Sequence, residues 1–103
     1  MPFKYEQGQI LVEGGGYEYV TFYRIEGRTS AYVTTVELED AFTPDADQRP
    51  GFTKGSYLPT DRIHMRSQLG PRRHRISIDE NGNEYTKPPN KVWDGAPVPY
   101  SNC

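Results

Sequence analysis

The sequence predicts a mainly β fold, either a small bent antiparallel sheet or a Src-homology-3-like barrel of four to five short strands. Three observations carry that expectation. Residues 18–26 fill both faces of an extended segment with β-branched and aromatic side chains, and residues 30–39 alternate with a period of two. Ten Gly and nine Pro interrupt the 103 residues at short intervals, which leaves little room for helices. Eight Tyr, four Phe and one Trp stand beside only fifteen Ile, Leu and Val, so large rings must supply much of the buried area. The length holds one domain. It is read as a β domain over residues 1–87, with an irregular loop at 41–60, and an extended C-terminal arm over 88–103 packed on it.

Taken in chain order, a first strand is expected in residues 8–13, where Ile10, Leu11 and Val12 form an apolar run ended by Gly14, Gly15 and Gly16. A second, in 18–26, carries β-branched and aromatic residues on both faces and therefore needs cover on both. After a turn at Gly27, Arg28 and Thr29, a third strand over 30–39 completes a hairpin. Pro44, Pro50, Gly51, Gly55 and Pro59 then arrive without any apolar period, hence the loop. Residues 61–69 fit either one or two helical turns or a short strand. A second hairpin is expected from 73–79 and 83–87 around Asn81 and Gly82, with Ile76 and Ile78 on one face. Pro88, Pro89, Pro97 and Pro99 then disfavour ladder pairing, so the arm runs extended over the surface.

Charge is distributed unevenly. Residues 1–61 carry −5 and residues 62–103 carry +3, although the whole chain is only −2. Between Arg62 and Arg75 lie Arg62, Arg66, Arg72, Arg73 and Arg75 with His64 and His74, and no carboxylate. Arginine forks bind phosphate in bidentate fashion, and Tyr57 or Tyr85 could stack on a base. The competing reading is a solvated basic loop that pairs with the acidic half of the same domain. Arg62, Arg66, Arg72, Arg73, His74 and Arg75 are the candidate binding residues. Trp93 joins them either as an exposed hot spot or as an anchor that staples the arm to the barrel.

No catalytic residue, metal site or cofactor is assigned. The two histidines are ten residues apart and the single Cys is terminal, so metal-ligand spacing is lacking. Glu37 and Glu39 read as a solvated strand edge. Gly14 to Gly16 read as a turn and not a phosphate cradle, because no helix pattern follows. An enzyme would have to rest on His64 or His74 beside Asp61 or Asp79. The N-terminal residues lack a signal-peptide core and no apolar run approaches ~18 residues. The expectation is a cytoplasmic protein with no membrane partner.

The stretches Gly8-Gln9-Ile10-Leu11-Val12, Gly16-Tyr17-Glu18, Phe22-Tyr23-Arg24-Ile25 and Trp93-Asp94-Gly95-Ala96-Pro97 resemble a family of small uncharacterised proteins encoded by bacteriophages and plasmids. Its members open with Gly-Asp-Ile-x-Val, continue through Gly-Tyr-Asp and Phe-Tyr, and close with Trp-Asp-Gly-x-Pro. The resemblance implies a phage or mobile-element origin, in the host-cell cytoplasm, and carries over no catalytic residue. The expected function is that of a nonenzymatic accessory protein that binds a host or phage macromolecule, with a host or phage protein as partner, and modulates host functions or defence. The alternatives are a weak nucleic-acid-binding barrel and a virion accessory protein whose arm locks neighbouring subunits. The sequence leaves the oligomeric state open.

Overall fold

A strand that is apolar on both faces must be covered on both, and the chain meets this demand with a strongly curled antiparallel sheet. The computed structural model describes residues 2–46 and 53–102; the loop positions Pro50, Gly51 and Phe52 and the terminal thiol of Cys103 lie outside them. The strands are β1 (Ile10–Gly15), β2 (Glu18–Arg28), β3 (Tyr32–Pro44), β4 (Thr53–Ile63), β5 (Arg72–Arg75), β6 (Ser77–Ile78), β7 (Glu84–Tyr85), β8 (Lys91–Val92) and β9 (Val98–Asn102), with a 3-10 turn at Met65–Leu69. The main sheet runs β8-β1-β2-β3-β4-β9, β5 adds to β3, and β6 pairs with β7 alone.

Successive residues point to opposite faces, and the core divides accordingly. On one face Leu11, Tyr23, Ile25 and Val33 pack with Tyr5 and Ile76. On the other, Val12, Val20, Phe22, Val36 and Leu38 are covered by Ile10, Tyr57, Trp93 and Val98. The curl brings the β1–β2 turn against the last strand: Gly16 N–H donates to the Pro99 carbonyl and Ser101 N–H to the Gly16 carbonyl. The result is a half-barrel joined at this end. There Tyr19 stacks on Tyr100 with centroids 5.5 Å apart, and Tyr57 and Phe42 complete the ring cluster. Gly14 is required at the turn: with φ at +88°, a Cβ would lie 1.9 Å from the Tyr19 carbonyl oxygen.

The mainly β class is as expected, and four local expectations are corrected. Residues 41–44 and 53–60, expected as irregular loop, are paired strand, with Ala41 opposite Leu58 and Pro44 opposite Gly55. Gly55 marks a close approach and not a loop: a Cβ there would lie 2.2 Å from the Thr43 carbonyl oxygen. Residues 61–69 contain both options, the end of β4 and the 3-10 turn. The arm at 88–103 does enter ladders, β8 on β1 and β9 on β4. Pro99 is tolerated because its missing N–H is not needed there while its carbonyl still accepts. The first hairpin turns at Thr29, whose hydroxyl accepts from the Ala31 and Tyr32 N–H groups, while Gly27 adjoins a register shift in β2. In the second hairpin only two residues pair on each side, and Ile76 is buried while Ile78 is exposed.

Candidate functional site

One edge of β3 serves two partners, and this divides the basic segment. β5 pairs with Tyr32–Thr35 and β4 with residues from Leu38 onward. The 3-10 turn seals the gap: the Ser67 hydroxyl accepts the Glu37 N–H at 2.7 Å, and the His64 N–H donates to the Glu37 carbonyl. Residues 62–66 are thus carried to the acidic middle of β3, while residues 72–75 are carried to its start.

At the acidic middle, the arginines are neutralised within the chain. Arg66 Nη2 lies 2.8 Å from Glu37 Oε2, and Arg62 Nε lies 3.2 Å from Glu39 Oε2. Together with Asp40, His64 and the rings of Tyr19 and Tyr57, the Glu37, Glu39 and Arg66 side chains line a cleft of about 470 Å³. Partial burial holds the Asp40 carboxyl above the ordinary carboxylate range, with His64 opposing and Glu37 adding repulsion. Burial likewise raises the Tyr57 phenol, and the Asp40 charge adds to it. His64 Nδ1 accepts the Arg66 N–H at 3.1 Å and stands 3.8 Å from Glu37. Neither Asp61 nor Asp79 pairs with a histidine among the described residues; the Asp79 carboxylate instead accepts the Asn81 and Asn83 N–H groups.

At the start of β3 the pattern inverts. Arg73, His74 and Arg75 of β5 face Tyr85 and the 86–90 segment across a cleft of about 730 Å³, with Lys87 on the far wall. Among the described residues, none that lines it is acidic. The nearest carboxylate in sequence, Glu84, is buried and turned inward onto Arg28, with two bonds of 2.6 and 2.9 Å, and also accepts the Tyr5 N–H. The Arg28 bond holds this carboxyl below its ordinary range. Arg72, Arg73 and Arg75 make no ion pair among the described residues. The Arg73 guanidinium sits over the Tyr32 ring at 4.2 Å, a cation–π contact that still leaves its edge open. His74 Nε2 lies 2.9 Å from the Thr35 hydroxyl; burial, and then Arg72, lower its pKa, so the ring is neutral at pH 7 and the fixed charge comes from Arg73, Arg75 and Lys87.

Of the residues singled out by sequence, Arg73, His74 and Arg75 are therefore brought together, and Arg62 and Arg66 are drawn away into ion pairs. Arg72 pairs with Thr35 in the ladder and is not among the residues that line the cleft of Arg73 and Arg75. Trp93 is an anchor: its N–H donates to the Ile10 carbonyl, its indole Nε1 to the Ala96 carbonyl at 2.7 Å, and its ring meets Phe22 edge-on. Sequence reading missed Lys87. The available signal was its place before Pro88 and Pro89, which hold a cation on a stiff segment; the Thr86 hydroxyl closes that segment onto the Pro89 carbonyl. Among the described residues no group of three His, Cys, Asp or Glu side chains could hold a metal ion, and no helix is long and apolar enough to cross a membrane. Comparison with family models, curated proteins and solved structures finds no match for this chain.

Proposed function

We propose that the protein is a nonenzymatic accessory protein of a phage or mobile element that acts by binding an anionic macromolecule. The observation that carries this reading is the cationic cleft beside β5, where Arg73, Arg75 and Lys87 converge and, among the described residues, no carboxylate lines the wall. Unpaired guanidinium groups beside an acid-free surface favour phosphate and other oxyanions by charge and by fork geometry. The mobile-element assignment rests on the motif resemblance at Gly8-Gln9-Ile10-Leu11-Val12 and Trp93-Asp94-Gly95-Ala96-Pro97. Retention on a heparin column at low salt tests the reading. Wild type should be held and an Arg73→Glu/Arg75→Glu variant should elute earlier; identical elution of the two folded proteins would reject it.

A second reading, docking to a host or phage protein, is favoured by one observation. Met65 and Leu69 on the 3-10 turn are 75% and 97% exposed, apolar side chains of the kind a partner would bury. Cross-linking in host lysate that is lost in a Met65→Ser/Leu69→Ser variant would support it, and cross-linking unchanged by that variant would reject it.

A further inference from the structure

We propose that the cationic cleft takes a single-stranded nucleic acid, with one base stacked on Tyr85 and the adjoining phosphates held by Arg73, Arg75 and Lys87. This rests on the anion-binding reading above and names its ligand class.

A site built for charge alone needs no aromatic ring among its cations. Here Tyr85 lines the cleft and is 48% exposed, while its neighbour Glu84 is buried against Arg28. Strand alternation produces both results: the carboxylate turns inward and the ring turns outward. A ring face beside cations suits a base with its phosphate, because stacking satisfies the base and the guanidinium and ammonium groups satisfy the backbone. Both walls are held. On one side, β5 is fixed to β3 through four residue pairs, and its Arg73, His74 and Arg75 line the cleft. On the other, the Thr86 hydroxyl bonds to the Pro89 carbonyl, and the Tyr5 hydroxyl donates to the Asn90 carbonyl at 2.8 Å. The volume falls within the range of about 300–1,000 Å³ typical of sites that enclose small ligands, enough for a nucleotide unit and not for a duplex. A paired base has its faces covered by its neighbours, so a duplex could reach Tyr85 only by unstacking.

The test is fluorescence anisotropy with a labelled oligothymidylate, the matching duplex, and inorganic polyphosphate as a competitor without bases. The single strand should bind more tightly than the duplex, and the logarithm of its affinity should fall with the logarithm of salt at a slope of about −2 for three phosphate contacts. Tyr85→Ala should weaken the single strand about tenfold, Tyr85→Phe should retain it, and neither should alter polyphosphate binding. In the NMR spectrum the Tyr85 ring protons should move upfield when the oligonucleotide is added, a readout that needs no variant. If polyphosphate and single strand bind equally, with Tyr85→Ala harmless and the ring signals unmoved, the base-stacking site is overturned while the anion-binding function stands. If neither polymer binds, both readings fall. Duplex binding as tight as single-strand binding also overturns the inference.

Discussion

The two halves of β3 border opposite charge, and they treat that charge differently. Beside Glu37 and Glu39, the arginines of the 3-10 turn and the end of β4 are matched to carboxylates, so the cleft there offers carboxylates and tyrosines with its Arg66 already paired. Beside Tyr32–Thr35, the arginines of β5 have no acidic partner among the described residues, because Glu84 is drawn inside by Arg28 and Asp79 closes its own turn. A run of five arginines is thus two populations. Cations that are already paired contribute little to an outside ligand, whereas unpaired ones keep their full attraction for it.

The largest expected effect concerns the ion pair that keeps acid away from the cationic cleft. Arg28→Ala leaves the buried Glu84 charge without its partner and should cost about 3 kcal/mol, read by urea denaturation. The same pair sets an acid limb. The folded-state pKa of Glu84 is depressed by the Arg28 bond, so its stabilisation is present above the ordinary glutamate range of about 4.3 and is lost as pH falls through the folded value. Thermal melts of Glu84→Gln should start less stable at neutral pH and lose less on acidification. His74, lowered by burial, adds to the wild-type acid loss, because the unfolded chain takes up a proton below pH ~6.5 before the folded one does.

Next in size is the contrast between the two arginine populations. Arg73→Glu/Arg75→Glu should lower polyanion affinity at least tenfold at ~50 mM salt and much less at ~200 mM, since the lost contacts are those that release counterions. Arg62→Ala should leave that affinity within about twofold and change stability by less than about 0.5 kcal/mol, as expected for an exposed pair. Equal losses in the two variants would erase the distinction between the clefts. The smallest effect belongs to Asp40. Burial raises its folded-state pKa, so its charge opposes folding above that value and the opposition disappears as pH falls below it. Asp40→Asn should therefore raise the melting temperature slightly at pH 7 and leave it unchanged at pH 3.

The period of two in residues 30–39, the glycines of the β1–β2 turn and the Asn81-Gly82 turn were legible because each depends on neighbours in the chain. The 41–60 segment was not, because Pro44, Gly55 and Pro59 look like loop residues until the partner strand is known. Only then does Gly55 become the position where Thr43 and Phe42 leave no room for a side chain. Trp93 could be weighed from sequence as anchor or hot spot; in the structure its N–H bond to Ile10 and its ring edge against Phe22 hold the arm on the sheet.

By itself, the sequence determined a β domain, the hairpin of β2 and β3 and the segregation of acid from base along the chain. The tertiary structure alone decided which cations are free. Arg66 meets a carboxylate 29 residues away and Arg28 meets one 56 residues away, while Lys87 reaches Arg73 and Arg75 across a cleft. Strand alternation states which side of a strand a side chain occupies; the curl and register of the sheet determine what stands opposite, and a charge acts on what stands opposite.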